Sequence, residues 1–301
     1  MISPVLLGLI LALASSICFA SNRAVASKPL VSSGPVVATY ISLIVGVMVS
    51  GVATLLFDEA SMLLIAGTST ILIFAIVGVF HFGIARNLSF SAIKHIGANE
   101  SSPIMSTQVL YSILFAILLL GETLTFETAL GALTILAGVF VLERRAGARK
   151  RGGNYKIGFA AAALTGVIYG LTPILIKYGL SLFHFFVAAT FIAFLAGMVF
   201  YASIISPRRI ISDFRILPKP ALVAYCISGV FAVLAQLFRF GALEFAPVVL
   251  VVPLLASHPI FTVLFTRRLA KDFEVFQPRI VLSVLLVVVG TVIVSYSSGV
   301  T

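Results

Sequence analysis

Tryptophan is absent from this chain of 301 residues, cysteine occurs twice, and Asp and Glu together number 10. Only 10% of the residues are charged, against 60% hydrophobic. Cys18 and Cys226 both lie in apolar segments, with no spacing that would hold zinc or build a disulfide framework. Enzyme signatures are also missing: there is no H-E-x-x-H, G-x-S-x-G or P-loop motif and no pair of carboxylates on one helical face. Neither a catalytic residue nor a cofactor is therefore expected. With a mean hydropathy of +1.19 the composition is that of a membrane protein. Ten crossings of roughly 20 residues would take about 200 positions and leave about 100 for every connection, too few for a soluble catalytic domain. The formal net charge of +10 reads as membrane topology, and no nucleic-acid partner is expected.

What is present is a succession of apolar runs separated by short polar stretches. They predict an all-α integral membrane protein with ten transmembrane helices over 2–22, 36–57, 69–92, 97–120, 125–142, 157–179, 183–205, 220–243, 247–268 and 276–296. The first run has no basic residues ahead of it and no small-residue cleavage site after it, so it is expected to stay in the mature protein. The most polar segment, 144–156, carries a dense run of Arg and Lys and divides the chain into five helices (1–143) and five more (157–301).

A single offset of 150 residues aligns the two parts without gaps. It matches Gly8 with Gly158, Ala12 with Ala162, Val37 with Val187, Phe90 with Phe240, Pro103 with Pro253 and Phe115 with Phe265. In the first half Arg23, Lys28, Arg86 and Lys94 follow the first and third helices, and Asp58, Glu59, Glu122 and Glu127 fall in the other connections. In the second half the cations move by one connection: Arg208, Arg209, Arg215 and Lys219 follow its second helix, and Arg267, Arg268 and Lys271 its fourth. Five is odd, so two fused five-helix units lie in opposite senses, which is what the shifted bias predicts. The halves form an inverted repeat. The positive-inside rule then places the linker in the cytoplasm and both termini outside.

Two five-helix units, Pro103 and Pro253 in their fourth helices, and Gly121-Glu122 followed by Gly131 and Gly138 in the fifth, resemble the drug/metabolite transporter superfamily, and within it the EamA-like branch. The second half departs from the Gly-Glu pattern with Lys271-Asp272, and the aromatic late in the first helix of each unit is Phe19 and Tyr169. The resemblance implies a secondary carrier with a central cavity between the repeats, exporting amino acids, metabolites or drugs. It also implies cytoplasmic termini, opposite to the sense given by the charges, and the charges are taken as the guide.

A charge at the bilayer centre costs about 2.5 to 3.5 kcal/mol on insertion scales, so polar residues near mid-helix are candidates for function. Gln108 and His258 are repeat-equivalent, lie near the middle of the fourth and ninth helices, and form the expected centre of a substrate site. Pro259 removes a helical hydrogen bond beside His258, and Tyr111 lies one turn beyond Gln108. Both polar residues could equally join helices, in contacts worth about 0.6 to 2 kcal/mol. Tyr169 and Thr172 flank a backbone opened by Pro173, which leaves the Tyr169 carbonyl without its helical donor. His81 is a candidate proton carrier because imidazole titrates near neutrality, or simply an interhelical hydrogen-bonding group. Arg86, whose repeat mate is Gln236, is expected to snorkel toward the cytoplasm. Arg239 and Lys177 lie on the side where cations are disfavoured, and Arg239 in particular could hold a substrate carboxylate. Glu100 and Glu244 occupy helix ends, and Tyr155, Tyr178, Tyr201 and Tyr296 are read as interfacial belts.

The expected function is secondary active transport of a small amphipathic metabolite, amino acid or drug, by alternating access around a mid-membrane site. The expected partners are that substrate, the lipid bilayer of the cell membrane and a coupling proton, and a monomer is expected. The alternative is an intramembrane enzyme or lipid-handling protein acting through His81, His258 and Arg239. Such an enzyme would cluster its acid and base groups at one interface, and here they are spread over several depths.

Overall fold

The computed structural model describes residues 3–120, 126–144, 153–246, 248–270 and 277–298. Among them all regular structure is helical. The first half contains α1 (Pro4–Ser32), α2 (Pro35–Leu56), the short α3 (Met62–Ile65), α4 (Thr68–Val77), a π-helical turn (Gly78–Ala85), α5 (Arg86–Met105), α6 (Gln108–Leu120) and α7 (Phe126–Arg144). The second contains α8 (Gly153–Leu182), α9 (Phe186–Ile204), the short α10 (Pro207–Arg215), α11 (Lys219–Phe245), α12 (Val248–Ala256), α13 (His258–Leu269) and α14 (Pro278–Ser298). Six helical stretches among the described residues are long and apolar enough to cross a membrane: α1, α2, the run Thr68–Phe115, α8, α9 and α11. Shorter apolar runs lie in α7 and α14.

Local chemistry sets the breaks. Gly97 sits at φ 82° inside α5, a backbone region open to glycine, and separates the third expected helix from the fourth. Proline at the start of α1, α2, α10, α11 and α13 occupies the first turn, where its missing N–H costs nothing. The fourth and ninth helices are each broken in two, between α5 and α6 at Ser106-Thr107 and between α12 and α13 at Ser257.

Packing follows the repeat. Helix α1 lies along α11, and its counterpart α8 lies along α4 and α5; α2 meets α9, and α7 meets α14. A Cβ added at Gly8 would stand 2.6 Å from the Ala246 Cβ, and one added at Gly158 would stand 2.7 Å from Ile96 Cγ2. Both members of these two contacts are separated by 150 in sequence, so one close crossing occurs twice. Ser106 Oγ donates to the Ala256 carbonyl at 3.0 Å. Those two residues are repeat mates, and their contact lies where a pseudo-two-fold axis passes.

Several expectations are corrected here. Helix α1 continues ten residues past Asn22, so Arg23 is a fully buried residue within a helix and not a connection cation. Arg86 does not snorkel: it is buried, donates to Ser42 Oγ at 2.7 Å, and lies over the rings of Phe82 and Phe194. Tyr201 is buried and bonded to Asn87 Nδ2 at 2.5 Å, so it belongs to no interfacial belt. Glu100 does lie at a helix end, three residues past the break at Gly97, where it is buried and pairs with Arg279 at 3.3 Å. Lys177 Nζ donates to the carbonyls of Leu243, Glu244 and Ala246, completing the C-terminal end of α11. The side chain of Tyr296 and residues 145–152 lie outside the described residues.

The two ends of the bundle carry opposite charge among the described exposed groups. Lys28, Lys94, Lys156, Arg208, Arg215, Arg267 and Arg268 mark one end, and Asp58 and Glu127 the other. At the cationic end Lys94 donates to the Ser33 carbonyl and Thr266 Oγ1 donates to Asn99 Oδ1 at 2.7 Å. At the acidic end Glu59 Oε2 accepts from the Ala188 N–H at 2.8 Å, and His184 Nδ1 meets Glu244 Oε1 at 2.9 Å. Burial pushes the Glu59 carboxyl above the ordinary glutamate value, with the N–H groups of Ala188 and Val187 opposing and Glu244 adding to the rise.

Candidate functional site

The two helix breaks meet at the centre. Gln108 is the first residue of α6 and His258 the first of α13, so each begins the second half of a broken helix. Both are buried. Beside them is a small cavity lined by Ser15, Ser16 and Phe19 from α1, Gln108, Tyr169 from α8, Gln236 and Arg239 from α11, Leu255 and His258. The space open to the centre of a water is about 20 Å³, enough for one or two waters and too small for a metabolite. A larger solute would fit only if the surrounding helices separated.

Each wall follows from local sequence. Phe19 packs its ring 5.1 Å from the His258 ring and 5.9 Å from that of Tyr169. Ser16 bonds Ser257 at 3.1 Å, tying α1 to the break in the ninth helix. Ser15 Oγ donates to the Ala235 carbonyl at 2.6 Å, which holds α1 against α11. The Tyr169 carbonyl, deprived of its helical partner by Pro173, accepts from Arg239 Nη2 at 3.2 Å, and the same guanidinium reaches Thr172 Oγ1 at 3.5 Å. His81, on the π-helical turn, stacks on Tyr169 at 4.3 Å and pairs through Nδ1 with Thr172 Oγ1 at 3.0 Å.

Of the eight residues named from the sequence, Gln108, His258, Tyr169, Gln236 and Arg239 line the cavity. His81 and Thr172 form the layer behind Tyr169 and Arg239. Tyr111 does not line it: its Cβ lies where a side chain at Gly170 would go, at the crossing of α6 and α8. Sequence reading missed Ser15, Ser16 and Leu255. Serine is common in packed membrane helices, and only the one-turn spacing from Ser15 and Ser16 to Phe19 hinted at a shared face.

The polar balance is uneven. Arg239 Nε, both ring nitrogens of His258, His81 Nε2 and Gln236 Oε1 are buried without a hydrogen-bond partner. None of the described lining residues is a carboxylate. Such groups cost free energy when left dry and unpaired, so they would favour a polar ligand or water at this cavity.

No curated protein matches the chain. Among solved structures 27 chains match. One crystal structure resembles it with a TM-score of 0.65 at 20% sequence identity, covering 95% of each chain, a likeness that carries the fold alone. The family comparison is more specific, because it falls once on each half, over residues 6–144 and 156–296: this multi-pass membrane protein belongs to the EamA-like transporter family.

Proposed function

We propose that the chain is a secondary active transporter, an exporter of a small amphipathic solute, working by alternating access between its two inverted five-helix repeats. The repeats are assigned to 1–143 and 157–301, with 144–156 as a cytoplasmic linker in the cell membrane and both termini outside. The observation that carries the reading is the pair of helix breaks at repeat-equivalent positions, each starting a new half-helix with a buried polar residue at one small cavity. Broken helices at a repeat interface are a recurring way for carriers to place polar groups at mid-membrane.

In this reading Gln108 and His258 contact the solute, with Tyr169, Gln236 and Arg239 beside them, His81 and Thr172 supporting, and Tyr111 at the adjoining helix crossing. Rocking of one repeat against the other opens one end at a time. Opening the cationic end breaks Asn99–Thr266 and Glu100–Arg279, each of which joins the two halves. Opening the acidic end breaks the Glu59 bond to Ala188, which also joins them. His258 is assigned the coupled proton, because its imidazole lines the cavity and each ring nitrogen can hold or release a proton there. The protein is assigned as a monomer.

The deciding experiment is solute flux into proteoliposomes for Gln108→Leu and His258→Leu. Removing one hydrogen-bonding group costs about 1 to 3 kcal/mol, roughly 5- to 150-fold in affinity, with little change in melting temperature. Wild-type flux in both variants would refute the assignment. Sidedness is checked separately with single cysteines at Gly152 and Thr301 in a background lacking Cys18 and Cys226. An impermeant maleimide applied to whole cells should label Thr301 and spare Gly152, and the reverse pattern would invert the topology.

A further inference from the structure

We infer that the solute is a small organic monocarboxylate with an apolar body and no free ammonium group. This rests on the carrier reading above and names the substrate class of the same cavity. Three independent observations converge on it.

The first is Arg239. Guanidinium stays protonated in proteins, so this is a fixed positive charge, buried at the cavity wall. It donates through Nη2 to the Tyr169 carbonyl and Thr172, both neutral, while its Nε–H points to no acceptor. Arg239 makes no ion pair with any described carboxylate; the two ion pairs among the described residues are His184–Glu244 and Arg279–Glu100. A buried charge without a counter-ion is expensive, and a visiting anion removes the penalty.

The second is the donor set around that charge. Both ring nitrogens of His258 are unpartnered, and every tautomer of imidazole offers at least one N–H. Gln108 and Gln236 add amide donors to the same wall. No described residue lining the cavity carries the negative charge that an ammonium would need, and Arg239 would repel one. A zwitterionic amino acid is thus served at only one of its two charges.

The third is the backbone. Helices α6 (13 residues) and α13 (12 residues) begin at Gln108 and His258, so each repeat brings the start of a half-helix to the cavity wall. Phe19, Tyr169 and Leu255 supply the apolar wall for the rest of the solute. Arg239 is the one guanidinium among the described lining residues, and it offers a partner to one carboxylate.

The test uses the full chain purified in detergent and four probes sharing one aromatic body: 3-phenylpropionate, phenylalanine, phenethylamine and phenylphosphonate. Concentration-dependent thermal shifts report binding, because a ligand of the native state stabilises it. 3-Phenylpropionate should give a saturable rise, with phenylalanine and phenethylamine roughly tenfold or more weaker. Phenylphosphonate, doubly charged once the buffer is set near pH 9, should also bind more weakly there than 3-phenylpropionate. Arg239→Gln should lower the 3-phenylpropionate affinity roughly 10- to 100-fold, and Arg239→Lys should retain part of it. No saturable shift with 3-phenylpropionate, equal binding of phenethylamine, or an unchanged carboxylate affinity in Arg239→Gln would each overturn the inference. Should Arg239→Gln fail to fold, the wild-type probe ranking and the lysine variant still decide it. Proteoliposome flux of a neutral or cationic solute, abolished by Gln108→Leu, would overturn the anion assignment and leave the carrier reading standing. Arg239-dependent carboxylate binding without flux of any solute would do the opposite.

Discussion

The two halves of the molecule share a frame and differ in chemistry. Gly8 against Ala246 and Gly158 against Ile96 are the same helix crossing made twice, and Ser106 reaches its own mate, Ala256, across the axis. Polar positions break the symmetry. Arg239 has Ser89 as its counterpart, Arg86 has Gln236, His81 has Phe231, and Arg23 has Pro173. Close packing needs small residues in both copies, because two backbones cannot approach otherwise. A binding site on an axis has no such need, since one asymmetric solute meets both halves at once. On the proposed reading, symmetry sets where the site lies and its local loss sets what the site can hold.

The two buried arginines of α1 and α11 give the sharpest version of that contrast. Arg23 donates to the hydroxyls of Ser102, Ser89 and Ser101 at 3.0, 3.0 and 2.5 Å, and to the Ala98 carbonyl at 3.4 Å. It ties α1 to α5. Arg239 holds fewer partners and faces the cavity. Arg23→Met should therefore destabilise the fold by about 3 kcal/mol, through lost charge-assisted bonds, and Arg239→Gln by less than about 1 kcal/mol. Thermal unfolding of the two purified variants separates them. Equal losses would erase the division between a structural arginine and a site arginine.

A somewhat smaller effect tests the shared frame. A valine at Gly8 or at Gly158 would bring its Cβ under 3.0 Å from a neighbouring side chain, so α1 must move from α11, or α8 from α5. Overpacking of this kind costs typically about 1 to 3 kcal/mol. Gly8→Val and Gly158→Val should lower the melting temperature by similar amounts. A large loss in one and none in the other would show that the halves do not bear equal packing.

The frame was legible in the sequence because its signals are repeated and apolar. An offset of 150 needs only residue identities, and apolar length gives six long helical stretches among the described residues. The site was legible in part: Gln108 and His258 stood out as repeat-equivalent polar residues at mid-helix, and Pro173 marked the open carbonyl that Arg239 fills. Arg23 was misread for a physical reason. A hydropathy window treats an arginine followed by Lys28 and Pro29 as the end of a span, yet α1 continues because serines on α5 supply the hydrogen bonds that water would otherwise give. Tyr201 was misread likewise, since burial depends on a partner from a distant helix. The orphaned atoms around Arg239 and His258 are invisible to sequence, because being unpartnered is a property of the assembled walls.

The least disruptive prediction exchanges the two repeat mates. His258→Gln alone should retain solute binding and lose the pH dependence of uphill transport, since an amide cannot carry the proton assigned to the imidazole. Adding Gln108→His returns an imidazole to the equivalent position across the axis, at the first residue of α6 in place of α13. Both positions are buried, and each starts a half-helix at the same cavity. The double exchange should therefore bind the solute within roughly tenfold of wild type, or about 1.4 kcal/mol, and regain a pH-dependent gradient-driven flux. Proteoliposome transport measured across imposed proton gradients reads both outcomes. The counterpart of Arg239 in the first half is the uncharged Ser89, so the restored imidazole sits at a different distance from the arginine's charge, and the pH profile should be displaced from that of the wild type. Full recovery with an unshifted profile would mean that the asymmetric arginine does not act on the proton site, and no recovery would mean that the two mates occupy the axis in packing alone.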